Sequence, residues 1–186
     1  MNMSNDANQA ATPNGIPGLR GSDHIGFTVP DIEVAHDFLT RILGATFVYK
    51  LGPYPKGPAI AEKLEISPET TMQEIRFYRL HTGVNLEVFQ YDAPDQRMTV
   101  PQNSDVGGHH MALYVDNLNA AIEFLRSQDI EVLGQPTQSS GPSKGQEWAY
   151  FKSPWGMYFE LVSFPNGKAY EKHADTILWD PRNPNA

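Results

Sequence analysis

HIGFTVPDIEVAHDFL (24–39) and HMALYVDNLNAAIEFL (110–125) are two passes over one pattern. Each opens on a histidine, alternates apolar and polar residues as a strand does, and then changes to the spacing of a helix: Ile32, Ala35, Phe38, Leu39 and Ile42 in the first pass. Gly44 stands where that first helix has to stop. A second pair of segments repeats as well. GVNLEVFQY (83–91) aligns with GMYFELVSF (156–164), which sets Glu87 on Glu160. Between these markers ATFVYKL, EIRFYRL and NLEVFQY read as further strands. The Pro- and Gly-rich stretch GPYPKGPAIAEKLEISPETT accounts for the extra length of the first copy. Internal repetition at this scale points to duplicated supersecondary units. The expectation is an α+β protein of two tandem βαβββ modules that together form a cupped mixed sheet.

The boundaries follow from the repeat. Residues 1–20 hold little that could be buried and are expected to form a flexible arm. Residues 21–165 form the domain: module one at 21–94, a linker at 95–106 and module two at 107–165. A polar C-terminal tail, 166–186, follows, interrupted by the apolar trio Ile177, Leu178 and Trp179. The chain of 186 residues carries 22 acidic and 14 basic side chains, a formal charge of −8 without any run of one sign. That argues against nucleic acid or an anionic membrane as partner and leaves a small molecule. There is no cysteine, so disulfides and thiolate metal sites are excluded. With neither a membrane-length apolar run nor a signal-peptide start, the expected location is the cytoplasm.

Strand parity decides which histidine of the pair His109–His110 has a function. Ile25, Phe27 and Val29 share the apolar parity of the first strand, as Met111, Leu113 and Val115 do in its repeat, and those residues must face the helices. His24 and His110 therefore lie on the opposite face, with Gly26, Thr28, Ala112 and Tyr114. His109 falls on the helix side or at the start of the strand. In the last strands Leu86 and Val88, and Phe159 and Leu161, face the helices, which puts Glu87 and Glu160 on the same face as the two histidines. Carboxylates held together inside a cup repel one another and are costly to desolvate unless a cation sits among them. Where the two modules close toward each other, within one chain or between two, His24, Glu87, His110 and Glu160 thus form a candidate site for one divalent metal ion. Nitrogen and oxygen donors in these proportions suit Ni, Zn, Co, Mn or Fe(II), with positions open for water or substrate.

These residues, with the closing run YFKSPWGMYFEL, resemble the vicinal oxygen chelate superfamily, which includes glyoxalase I, methylmalonyl-CoA epimerase, extradiol dioxygenases and fosfomycin-resistance enzymes. The resemblance covers about residues 21–165. It implies a glyoxalase-like cupped sheet, the four ligands just named and a small-molecule substrate with adjacent oxygens. A homodimer is expected. The ligand order His, Glu, His, Glu is similar to that of bacterial glyoxalase I, whereas the epimerases carry Gln at the second place. Thr28 and Tyr91 stand where glutathione-binding members place Arg and Asn, which speaks against glutathione. Tyr150, Pro154, Gly156 and Glu160 match part of the dioxygenase signature, but its upstream base histidine is missing and Ser153 replaces an acidic or amide residue.

Three functions follow from this reading. The leading one is a metal-dependent lyase or isomerase that moves a proton next to a carbonyl through a metal-stabilised enediolate, with Glu160 or Glu87 as the base. The others are an Fe(II) extradiol-type ring-cleaving dioxygenase and a non-catalytic small-molecule binding protein. Thr28, Tyr91, Tyr114, Tyr150 and Tyr158 are candidate substrate-lining residues. His36, mid-helix, and His81, in a turn, are expected to be solvated. TQSSGPSKGQ (137–146) reads as a surface loop, placed to gate the cup or inert.

Overall fold

The computed structural model describes residues 15–184, so most of the expected N-terminal arm lies outside the described residues. Module one consists of β1 (His24–Thr28), α1 (Ile32–Asp37), β2 (Thr46–Leu51), α2 (Pro58–Leu64), β3 (Thr71–Arg79) and β4 (Asn85–Asp92). Module two consists of β5 (His110–Tyr114), α3 (Leu118–Ser127), β6 (Val132–Gln138), β7 (Glu147–Lys152) and β8 (Tyr158–Ser163). Each module forms one four-stranded mixed sheet, ordered β1-β4-β3-β2 and β5-β8-β7-β6. In both, the first strand runs parallel to the last and the other pairs are antiparallel. The repeat read from sequence is thus a repeat of topology, drawn as two sheets with no strand pairing between them.

Local chemistry accounts for the element ends. The Asp31 carboxylate accepts the backbone N–H groups of Glu33 and Val34, and Asn117 accepts that of Ala120, so each main helix starts on a side-chain cap. After Asp37 the first helix widens into a π-helical turn over Phe38–Ile42, which directs Phe38, Leu39 and Ile42 into the core. The insert after β2 is more ordered than its composition suggests. It contains α2, with Pro58 at its first turn, and Tyr54 pairs with Met72 in an isolated bridge.

One apolar core serves both modules. Phe27, Val29, Ala35, Phe38, Leu39, Leu86 and Val88 from module one are continuous with Ile122, Leu125, Phe151, Phe159 and Leu161 from module two. Aromatic rings make the junction. Phe38 lies 5.5 Å from Phe159 and 5.3 Å from Trp155 between centroids, and Phe27 stacks on Trp155 at 6.4 Å. Beside this contact Arg41 Nη1 donates to Gln128 Oε1 at 2.6 Å. Parity holds where it was read, since Phe27 and Val29 are buried and Met111, Leu113 and Val115 pack against the core. Ile25 is 40% exposed because β1 is the outer strand of its sheet.

His36 corrects the expectation of a solvated side chain. It is half-buried, its Nδ1 is 3.1 Å from the Tyr78 hydroxyl, and its ring meets Phe47 and Tyr78 edge-on or tilted. His81 is exposed, as read, with Nε2 3.0 Å from the Leu43 carbonyl oxygen. Of the expected loop at 137–146, Thr137 and Gln138 end β6 and pair with Trp148 and Glu147, and the rest is tied down. Ala169 N–H donates to the Lys144 carbonyl, and Gly145 passes so close to Gly167 that a Cβ would stand 2.5 Å from its carbonyl oxygen. In the tail Arg182 binds the Phe164 carbonyl, Asp180 and Glu171, while Ile177, Leu178 and Trp179 stay exposed.

Candidate functional site

The parallel pairing of β1 with β4 fixes the first half of the site. His24 and Glu87 start from neighbouring strands on one sheet face, and His24 Nε2 lies 3.0 Å from Glu87 Oε2. Gly26 is paired with Glu87 in the ladder, and a Cβ there would meet the Glu87 carboxylate at 3.5 Å and the Phe89 ring at 3.4 Å, ordinary contact distances. The second half repeats the first through β5 and β8, with His110 Nε2 3.2 Å from Glu160 Oε2. Both carboxylates are well covered, with side-chain exposures of 17% for Glu87 and 13% for Glu160, while both imidazoles remain more open.

The two halves differ in their surroundings. His24 Nδ1–H donates to Asp23 Oδ2 at 2.7 Å, which orients the ring and leaves Nε2 toward Glu87. That bond raises the imidazole pKa above its ordinary value; burial opposes the shift and Glu87 adds to it. His110 has no such carboxylate. Its ring meets Tyr150 edge-on at 5.0 Å, with the phenol oxygen 3.3 Å from Nε2. Burial pushes the Glu160 carboxyl above the usual carboxylate range, and His110 beside it works the other way.

Aromatic side chains line both faces. In module one Tyr49 stacks on Phe77 at 4.5 Å, Phe77 meets His24 edge-on at 6.1 Å, and Phe89 stacks on Tyr91 at 5.6 Å. In module two Tyr150 meets Trp148 edge-on at 5.6 Å, and Lys152 Nζ lies 5.6 Å from the Tyr158 ring centre. Tyr114 packs edge-on against Phe164, and Thr28 is exposed at the end of β1. Burial raises the phenol pKa of Tyr91, Tyr114 and Tyr150. Asp23, Tyr49 and Phe77 were missed in the sequence. An acidic residue directly before His24, and the alternation of YKL and EIRFYRL, were the available signals.

The four predicted ligands stand as two pairs. Among the described residues no three His, Asp or Glu side chains gather closely enough to hold a metal ion. The donor chemistry of each pair suits a borderline divalent ion, yet one chain offers that ion only two donors in one place. His109 is in neither pair. Its Nδ1 is 3.0 Å from the Gly107 carbonyl oxygen, and it lines a separate cavity of about 270 Å³ with Phe27, Trp155, Arg97, Met98 and Val100. Trp155 is therefore a packing residue of the junction as well as a wall of that cavity.

A family model described as "Glyoxalase/Bleomycin resistance protein/Dioxygenase superfamily" matches residues 23–150. A 2-epi-5-epi-valiolone epimerase from Actinomyces sp. is 42% identical over 91% of this chain and 93% of its own length. The human mitochondrial methylmalonyl-CoA epimerase is 27% identical over 75% of this chain and 71% of its own. Among solved structures, a glyoxalase family protein from Bacillus cereus superposes with a TM-score of 0.63 at 14% identity, over 83% of this chain and 98% of that one. A fosfomycin resistance protein from Listeria monocytogenes, solved as a mutant with Mn(II) and a dihydroxypropylphosphonic acid, superposes with a TM-score of 0.53 at 16% identity, over 84% of this chain and 99% of that one. No helix among the described residues is long and apolar enough to cross a membrane.

Proposed function

Because the chain belongs to the glyoxalase/bleomycin resistance protein/dioxygenase superfamily, we propose that it is an isomerase of that family: an epimerase that inverts a carbon next to the ketone of a hydroxylated substrate. The observation that carries this reading is the duplicated His–Glu pair, at 3.0 and 3.2 Å, in a chain 42% identical to an epimerase whose named substrate is a hydroxy ketone. Its cofactor in this reading is one divalent ion from the set Ni, Zn, Co, Mn or Fe(II), with His24, Glu87, His110 and Glu160 as the donors. Such an ion supplies Lewis-acid stabilisation of negative charge on adjacent substrate oxygens.

Epimerisation removes a proton from one face of a carbon and returns one to the other. Two equivalent carboxylates, one from each module, suit that demand. Glu160 and Glu87 are assigned the two proton transfers, and whichever acts as base leaves the other as the acid. Burial makes the Glu160 carboxylate a stronger base than one in water, and both side chains are largely covered. Tyr150, beside His110, with Tyr158 on the neighbouring strand, and Phe77, Phe89 and Tyr91, on the strands that carry the His24–Glu87 pair, are assigned to contact with the substrate. Thr28 and Tyr114 stand further along the same strand faces. Glutathione has no place in this reading, and neither does oxygen.

The test is solvent exchange. Incubated with 2-epi-5-epi-valiolone in deuterium oxide without oxygen, the metal-loaded protein is expected to place deuterium at one carbon adjacent to the ketone and to form the epimer, followed by proton NMR. Glu160→Gln is expected to lower that exchange at least about a hundredfold, the usual value of a positioned acid or base. Turnover that requires oxygen, or exchange undiminished in both Glu160→Gln and Glu87→Gln, refutes the proposal.

A further inference from the structure

His109, the histidine outside both donor pairs, stands in the wall of the cavity of about 270 Å³ formed by β1, the linker and the turn between β7 and β8. None of His24, Glu87, His110 and Glu160 lines it. Its apolar wall includes Phe27, Trp155 and Met157, with the first two rings stacked at 6.4 Å. A cavity of roughly 150 Å³ holds one benzene ring, so this one admits a ring together with a polar substituent.

The charged part of the wall has one sign. The chain carries 22 acidic and 14 basic side chains, yet no Asp or Glu lines the cavity and Arg97 does. Among the described residues the arginine ion pairs belong to Arg41, Arg76 and Arg182, so no carboxylate neutralises Arg97. The open edge of β1 adds hydrogen-bond donors. Val29 N–H donates to the Phe89 carbonyl of β4 at 2.9 Å, and backbone groups alternate along a strand, so those of Gly26 and Thr28 point off the unpaired side. Both residues line the cavity. A guanidinium and strand-edge N–H groups beside an aromatic wall fit an anionic group on a flat apolar body. We propose that this cavity binds a small aromatic carboxylate, with its ring against Trp155 and its carboxylate on Arg97. The site needs neither the His–Glu pairs nor a metal.

Titration of the metal-free protein with benzoate tests it. In a chain with Trp148→Phe and Trp179→Phe, Trp155 gives the single indole N–H signal of a proton–nitrogen NMR spectrum. That signal is expected to move saturably with benzoate. Benzyl alcohol, which has the same ring and no charge, is expected to bind at least about tenfold more weakly. Arg97→Met and Arg97→Gln are each expected to weaken benzoate by about the same factor, the worth of a hydrogen bond to a charged group. Arg97 is exposed, so both variants keep the fold. Glu87→Gln and Glu160→Gln are expected to bind benzoate as the unsubstituted site does. An unmoved indole signal, equal affinity for the alcohol, or full affinity in the Arg97 variants overturns the proposal. Loss of binding in either Glu variant puts the ligand in the cup and overturns it as well. Each of these results leaves the epimerase reading standing, since that reading is tested by exchange on the metal-loaded protein.

Discussion

Phe38→Ala probes the junction on which the arrangement of the two modules depends. The ring is 1% exposed and sits between Trp155 and Phe159, in a core that also contains Leu39, Ile122 and Leu125. Truncating a buried Phe removes its transfer free energy and leaves a cavity that flanking aromatics fill only in part, a loss of about 3–5 kcal/mol. For a domain of this size that corresponds to a fall in melting temperature of roughly 6–20 °C. Because the core is continuous across the modules, the loss is expected in a single cooperative transition. Urea unfolding followed by far-ultraviolet circular dichroism and by tryptophan fluorescence measures both quantities, with Trp148 and Trp155 reporting from module two. Coincident transitions shifted by that amount are the expected result. A loss below about 1 kcal/mol, or an early transition in module one that leaves the tryptophan signal in place, would refute a shared core.

The remaining predictions concern the loop and the tail. Gly145→Ala places a Cβ 2.5 Å from the Gly167 carbonyl oxygen at a backbone φ of +107°, so the 137–146 loop should detach from the tail, lose about 1–3 kcal/mol and become a preferred site of limited proteolysis. The Arg182 guanidinium holds the Asp180 carboxyl down at about 2, below its ordinary 3.8. A lowered carboxylate pKa contributes stability that is present above pH about 4 and lost as the pH falls toward 2. Trp179 fluorescence, read in a chain whose other two tryptophans are replaced by Phe, should therefore report tail release over that window, and Asp180→Asn should remove the pH dependence.

The sequence by itself determined the two modules, the face of each strand that carries chemistry, and the two His–Glu pairs. All of these depend on short-range order. The two-residue period of a strand places His24 opposite Phe27's face, and the parallel neighbour β4 brings Glu87 to 3.0 Å through one ladder register. The choice of His110 over His109 follows from the same period. The sequence left open whether the cup that gathers the four donors closes within one chain or between two, and here local periodicity has nothing to say. How two modules dock is decided by which side chains interlock, Phe27 on Trp155 and Phe38 between Trp155 and Phe159, and such contacts join residues more than a hundred positions apart with no pattern to announce them. Tertiary structure likewise took His36 out of solvent by setting Tyr78 beside it, fixed the 137–146 loop to the tail, and left the donor pairs separated within one chain. Hydrogen-bonded strands carry their geometry in their alternation, whereas a packed interface is set by volume and shape, which the order of residues specifies only once the chain has folded.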